Sequence, residues 1–167
     1  MSELARRNAN GLGVDVKSLY SGLAEPGDEL EMRLAIEDTR DFKGTGAKAI
    51  KGLEAWIDGK LPFAPPPPGW SLEPENHEGI RINISGGLWP VQDGWLLLRQ
   101  SLHDPLLVLN IETAQPNGCI HVAAAVAIWL LAGGKELPGW TDVDTSKITE
   151  AAATVEKGGN PTVSSSK

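Results

Sequence analysis

The sequence predicts an α+β fold in which helices cover one face of an antiparallel sheet. Four runs of residues have the apolar content or the alternation of β-strands, and most of the links between them are of hairpin length. Two other segments have helical patterns, one after the first strand and one after the last. Strands joined mainly by hairpins, with only two helices, favour helices packed on a single face of the sheet.

The four strands are predicted at residues 30–36, 80–84, 95–99 and 106–112. In the first two, apolar residues alternate with polar or small ones, as they do in a half-buried strand. Two glycines at 86–87 and the Pro-Asn-Gly sequence at 116–118 predict turns after the second and fourth strands.

The first predicted helix contains Leu53, Trp56 and Ile57 at helical spacing. Gly59 is expected to follow its last turn, because glycine adopts the left-handed conformation that ends many helices. Four consecutive prolines at 65–68 predict a stiff polyproline II connector to the next strand.

The second predicted helix spans residues 120–132 and is apolar on nearly every side, as in a helix packed under a sheet. Two glycines at 133–134 are expected to end it. The residues at 148–167 are mostly small and polar, and we expect them to be disordered. Near the other end of the chain, residues 19–23 are predicted to form one helical turn.

The composition argues against several classes of protein. The 167 residues, 41% of them hydrophobic, suffice for one domain with a substantial core. A net charge of −7 disfavours a general nucleic-acid binder. The single cysteine, Cys119, excludes an intrachain disulfide, and no signal peptide is evident. The longest apolar run, 122–132, is too short to cross a bilayer. We therefore expect an intracellular protein that is not secreted and has no membrane partner.

Several side chains of reactive residue types fit a structural role better than a catalytic or metal-binding role. Ser101, His103 and Asp104 are too close in sequence to form a nucleophile, base and orienting carboxylate. The histidines do not have the spacing of zinc ligands. The two carboxylates of the sequence Asp142-Val143-Asp144 fit a solvated turn better than a metal-binding loop. The six tryptophans are expected to fill the core of this acidic chain.

The most informative segment is the loop that joins the third and fourth strands. Within five residues it contains the guanidinium of Arg99, the hydroxyl of Ser101 and the imidazole of His103, and it ends at Pro105. A guanidinium binds two oxygens of a phosphate at once, a hydroxyl adds a donor, and free backbone N–H groups can form a small anion-binding concavity. The loop is a candidate anion site.

The order of residues in this loop resembles a known motif. Gly94-Trp95 followed by Leu98-Arg99-Gln100-Ser101-Leu102-His103-Asp104-Pro105 is similar to the phosphate-binding loop of the α-D-phosphohexomutases, usually Arg-x-Ser-Asn-Thr-x-Pro. A second motif, Glu78-Gly79-Ile80-Arg81, resembles the strand entry of the same C-terminal family domain. The resemblance covers about residues 19–147.

The resemblance implies a TATA-binding-protein-like fold with the order β-α-β(4)-α. Residues 1–28 would be the end of a preceding domain or a linker, residues 29–147 the C-terminal domain, and residues 148–167 a disordered tail. It also implies that the substrate phosphate is bound by Arg99, Gln100, Ser101 and His103.

The chain departs from the common motif at Leu102-His103, where most members have Asn-Thr. This form of the motif, together with the dipeptide Gly118-Cys119, is similar to the sequences of a divergent branch of the family in plants and algae. Leu102 removes an amide donor, so phosphate contact would depend on the remaining side chains and the loop amides. The implied location is the cytoplasm or the plastid stroma.

The family's phosphoserine, its magnesium loop of aspartates and its sugar-reading loop are not found in this sequence. We therefore expect no catalytic residue, metal site or cofactor in this chain, with Mg²⁺ belonging to the full-length family enzyme. The expected partners are a hexose phosphate and the remaining mutase domains. The expected role is to hold the substrate phosphate, without turnover by the chain alone. The alternative is a non-enzymatic interaction or scaffold domain derived from the same fold.

Overall fold

The computed structural model describes residues 27–62, 65–87, 91–136 and 143–157. These residues form a five-stranded, entirely antiparallel sheet and three α-helices, which confirms the predicted α+β class. The strands are β1 (Asp28–Ala35), β2 (Trp70–Leu72), β3 (Ile80–Ser85), β4 (Asp93–Gln100) and β5 (Leu106–Thr113), in the spatial order β1-β5-β4-β3-β2.

The three helices are α1 (Phe42–Ile57), α2 (Gly118–Glu136) and α3 (Ser146–Glu156). A short 3-10 turn, Thr39–Asp41, precedes α1, and the carboxylate of Asp41 caps that helix by accepting a hydrogen bond from Gly44 N at 3.1 Å. Gly59 follows α1 with φ +71°, as its sequence position predicts. None of the described helices is long and apolar enough to cross a membrane.

One hydrophobic core lies between the sheet and the helices. Alternate strand residues enter it, and the register aligns them in rows such as Met32, Leu109, Leu98 and Ile80 across four strands. The residues between them lie on the opposite face of the sheet, which we call the open face.

Three tryptophans join the helices to the sheet at the core, as predicted. The ring of Trp56 stacks on Trp129 with centroids 6.4 Å apart, and Trp70 meets Trp56 edge-on at 5.9 Å. Trp95 differs, because it lies on the open face and is only half-buried. Alternation with the buried Leu96 puts it there.

The predicted disordered tail is wrong for residues 148–157. Helix α3 begins at Ser146, and Ile148 and Ala151 are buried against the rest of the core, with Ala152 and Val155 packed beside them. Their spacing is that of one helical face, but the small residues around them produce a weak hydrophobic signal. Residues 158–167, like residues 1–26 with the helical turn predicted at 19–23, lie outside the described part of the chain.

Two further details differ from the prediction. The helix predicted to stop at Gly133-Gly134 continues to Glu136, since glycine lowers helix stability by only about 1 kcal/mol when it lies inside one. Strand β2 is not predicted by the sequence, because its three residues are too few to show alternation.

Candidate functional site

The loop of residues 101–105 lies at the end of the sheet where β1 ends and β3 begins. Ser101 N donates to Leu106 O at 3.0 Å and closes the β4–β5 hairpin. Pro105 O accepts a hydrogen bond of 2.7 Å from Ile36 N, the residue after β1. The loop is therefore fixed at its base and at its proline end.

Hydrogen bonds inside the loop leave donors free. Ser101 Oγ accepts from Asp104 N at 3.2 Å, so its own O–H remains able to donate. Leu106 N donates to Asp104 O at 2.8 Å. Among the described residues, none accepts a hydrogen bond from the backbone N–H of Leu102 or His103. Three neutral donors are thus available over three consecutive residues.

Arg99 lies just before the loop, on the open face of β4. It pairs with Val108 of β5 and is half-buried, while its neighbour Leu98 is 1% exposed on the core side. Because side chains alternate along a strand, Ser101 continues the open side of Arg99. The alternation therefore assigns Arg99 and Ser101 to the same side of the sheet, two residues apart in the chain.

Arg99 differs from the other arginines that the structure describes in having no hydrogen-bond or ion-pair partner among the described residues. Arg33 binds Glu31 at 3.2 Å, and Arg40 binds Asp38 with two contacts of 2.8 and 2.9 Å. Arg81 donates to Asn83 and lies 4.5 Å over the ring of Trp95. Three cations are therefore already engaged, and Arg99 is available.

The carboxylate of Glu31 contributes to the electrostatic environment of Arg99. The pKa of Glu31 is lowered, chiefly because Asn110 donates a hydrogen bond to it at 3.1 Å, then by Arg33 and more weakly by the charge of Arg99. Glu31 is exposed, so water screens its attraction for Arg99. An anion bound directly by the guanidinium would compete with this weak interaction.

Gln100 is separated from the other predicted site residues. Its carboxamide Nε2 donates to Phe42 O at 3.0 Å, at the start of α1. Its side chain also lies against Gly46, where an added Cβ would be 2.6 Å from the Gln100 Cδ atom. Gln100 thus joins the sheet to α1 on the core side, while Arg99 and Ser101 are on the open side.

Gly79 brings the two sequence motifs into contact. Its φ is +91°, and an added Cβ would collide with Leu98 O and would lie 2.7 Å from Arg99 Cα. Glycine is the residue that allows both this conformation and this close approach. The strand-entry motif therefore supports the backbone of Arg99 directly.

The tip of the loop is open to solvent. Leu102 is 80% exposed, and His103 and Asp104 are exposed beside it. His103 can therefore reach an anion at the loop, but no contact in the described structure holds its ring in one position.

The carboxylates and the remaining histidines of the described residues are the further side chains to compare with the requirements of a metal site. No group of three or more His, Cys, Asp or Glu side chains that could hold a metal ion is found among the described residues. Asp144 accepts a hydrogen bond from Ser146 N at 2.9 Å, which fixes the turn into α3 and lowers its pKa. Asp142 lies outside the described residues. His121 is on α2, where partial burial lowers its pKa.

No family model and no curated protein matches this chain. What the protein does is therefore inferred from the motif residues and from their geometry.

Proposed function

We propose that this chain is the C-terminal, substrate-phosphate-binding domain of a phosphohexomutase, and that residues 99–105 bind the phosphate of a hexose phosphate. The observation that carries the proposal is that the Arg99 guanidinium has no hydrogen-bond or ion-pair partner among the described residues, while the Ser101 hydroxyl, two residues further along the chain, keeps its O–H free to donate. The order of elements from β1 to α2, one helix between the first strand and the next four, agrees with the TATA-binding-protein-like fold of that family domain.

The donors at this loop suit a tetrahedral dianion. The Arg99 guanidinium binds two phosphate oxygens in parallel, which is stronger and more directional than a single contact. Ser101 O–H and the amides of Leu102 and His103 supply donors for the remaining oxygens. His103 adds a donor at the exposed rim.

The loop is ordered before any ligand arrives, which favours affinity. Three backbone hydrogen bonds fix it, from Ser101 N, Ile36 N and Leu106 N, and Gly79 packs against Arg99. A preorganised loop avoids part of the entropy cost of ordering on binding.

The role proposed for the bound phosphate is orientation. In a mutase, a domain that holds the phosphate not being transferred uses remote binding energy to place the reacting hydroxyl. The family's phosphoserine and magnesium loop would be supplied by other domains, so we expect the isolated chain to bind a hexose phosphate without converting it.

The test is a titration of the ¹⁵N-labelled full chain with glucose 6-phosphate and with mannose 1-phosphate, followed by amide chemical shifts. Arg99→Ala is expected to weaken binding by about ten- to a hundredfold, the loss of a charge-assisted contact worth about 1.5–3 kcal/mol. Arg99→Lys should recover only part of this affinity, because it keeps the charge but not the two-armed contact.

Gln100→Ala is the matched control. It removes the hydrogen bond to Phe42 O and is expected to lower the free energy of unfolding by about 1 kcal/mol while leaving phosphosugar affinity unchanged. Equal affinities of wild type and Arg99→Ala, or shifts centred away from residues 99–105, would refute the proposal. Loss of affinity on Gln100→Ala without loss of stability would refute the separation of the two side chains.

A further inference from the structure

From Gly118 to Ala132, helix α2 has an outward surface without a charged residue. From Gly118 to Ala132, the residues that are half-buried or exposed fall on one helical arc, and every other residue is buried. We call this arc the α2 outer face. It consists of His121, Ala124, Ala125, Ile128, Leu131 and Ala132.

The α2 outer face is unusual for the solvent side of a helix. A helix packed on a sheet normally presents polar and charged residues to water. Here Ile128 is 55% exposed and Leu131 is 39% exposed, and His121 supplies the one polar side chain. A contiguous exposed apolar surface of this kind marks a site of interaction.

The first described residues of the chain lie beside the start of α2. Gly27 N donates to Thr113 O at 2.8 Å, and Asp28 Oδ2 accepts from Cys119 N at 3.0 Å in the first turn of α2. The preceding segment therefore leaves the fold beside the start of α2. Ile128 lies ten residues along that helix, about 15 Å away at 1.5 Å per residue.

The preceding segment also has the side chains to cover the surface. Val16, Leu19, Tyr20 and Leu23 are spaced as one helical face. The four steps from Leu23 to Gly27 span up to about 14 Å when extended, enough to place Leu23 over the first turns of α2.

Two other segments outside the described residues fit less well. Residues 158–167 contain one large aliphatic side chain, that of Val163. Residues 137–142 are held at both ends, by α2 and by the bridge between Ile36 and Val143.

We propose that residues 14–23 form an amphipathic helix that docks on the α2 outer face, antiparallel to α2. In this arrangement Leu23 packs on Ala124 and Ala125, Leu19 on Ile128, and Val16 on Leu131. The two alanines allow the helices to approach closely at the end nearest residue 27.

The test is paramagnetic relaxation in the full chain, with a nitroxide attached at His121→Cys on the rim of the face. The native Cys119 does not interfere, because its thiol is buried. We expect amide signals of residues 19–23 to lose most of their intensity. The same label at Ser71→Cys, which is exposed on β2 away from α2, is expected to leave them unchanged.

Two substitutions separate docking from a general effect on folding. Ile128→Asp and, on the other partner, Leu19→Asp should each restore the signals of residues 19–23. Thr149→Asp, which adds the same charge at an exposed position of α3, should not. The dispersed spectrum of residues 27–157 is the check that each variant is folded.

Three results would overturn the proposal. The first is full intensity at residues 14–23 in the labelled wild-type chain. The second is a loss confined to residues 137–142, which would assign the face to that segment. The third is broadening of unlabelled chains mixed with spin-labelled ones, which would assign the face to a second copy.

Discussion

Replacing Gly79 by alanine is expected to be among the most damaging single changes near the candidate site. An alanine there would hold φ near +91°, which costs about 1–2 kcal/mol for a residue with a Cβ. Its Cβ would also collide with Leu98 O and approach Arg99 Cα, both backbone atoms that move only if the β3–β4 pairing shifts. Overpacking of this kind costs a further 1–3 kcal/mol or so, for a total of about 2–5 kcal/mol.

Gly59→Ala provides the matched control. Gly59 also has positive φ, +71°, but an added Cβ there meets no atom within 4 Å. Its substitution should cost the backbone contribution alone, about 1–2 kcal/mol. The difference between the two variants therefore measures how closely Gly79 packs against Arg99.

The assay is urea unfolding of the full chain followed by tryptophan fluorescence, with the slope m compared to verify that the unfolding reaction is unchanged. Amide shifts of residues 98–101 should move in Gly79→Ala and remain in place in Gly59→Ala. Equal losses of stability in the two variants, within about 0.5 kcal/mol, would refute the close packing of the two motifs.

Three further outcomes are expected. Ile148→Ala should lower the free energy of unfolding by about 2–5 kcal/mol, because Ile148 of α3 is fully buried. Thr149→Ala, at an exposed position of the same helix, should change it by less than about 0.5 kcal/mol. Equal effects of the two substitutions in urea unfolding would show that α3 does not pack in the core. Burial raises the pKa of the Cys119 thiol from 9.0 to about 12, so iodoacetamide should modify it in urea but not in the native chain at pH 8, as mass spectrometry will show. The thiol of Cys119 loses its proton at lower pH in the unfolded chain than in the folded one, so the contribution of Cys119 to stability should fall as pH rises between 9.0 and about 12. Cys119→Ala should remove this contribution to the pH dependence of the urea midpoint.

Strand and helix positions can be predicted where a side-chain pattern repeats. The alternation in β1 and β3 identifies both the strands and the faces that Leu34 and Ile82 bury. Helix α3 escapes prediction because its buried positions are Ile148 and Ala151 among small residues, so that packing against α2 stabilises a helix with little hydrophobic signal of its own. The order of strands in the sheet depends on long-range pairing, such as β1 with β5, that local patterns do not contain.

The composition of the candidate site can be predicted from the sequence, but its arrangement is only partly predictable. The motif groups Gln100 with Arg99 because the two are adjacent, yet adjacent residues on a strand face opposite sides of the sheet. Residues 95–98 of β4 are all apolar and do not show in the sequence which face is buried, so the side on which each of the two side chains lies is read from the structure, where Leu96 and Leu98 are the buried positions. The carboxamide of Gln100 is committed to Phe42 O, a contact 58 residues away that no local pattern indicates.

The distinction between a binding arginine and a structural one depends on what the guanidinium already contacts. Arg33, Arg40 and Arg81 are as polar in sequence as Arg99, and the structure gives each of them a partner that an incoming anion would have to displace. Arg99 has no such partner among the described residues, and its stem lies beside the buried Val108, which limits the positions of its charged end. A half-buried, unpaired cation beside free hydroxyl and amide donors loses part of its hydration without compensation, so an anion that restores those contacts should bind there in preference to the exposed lysines of the surface.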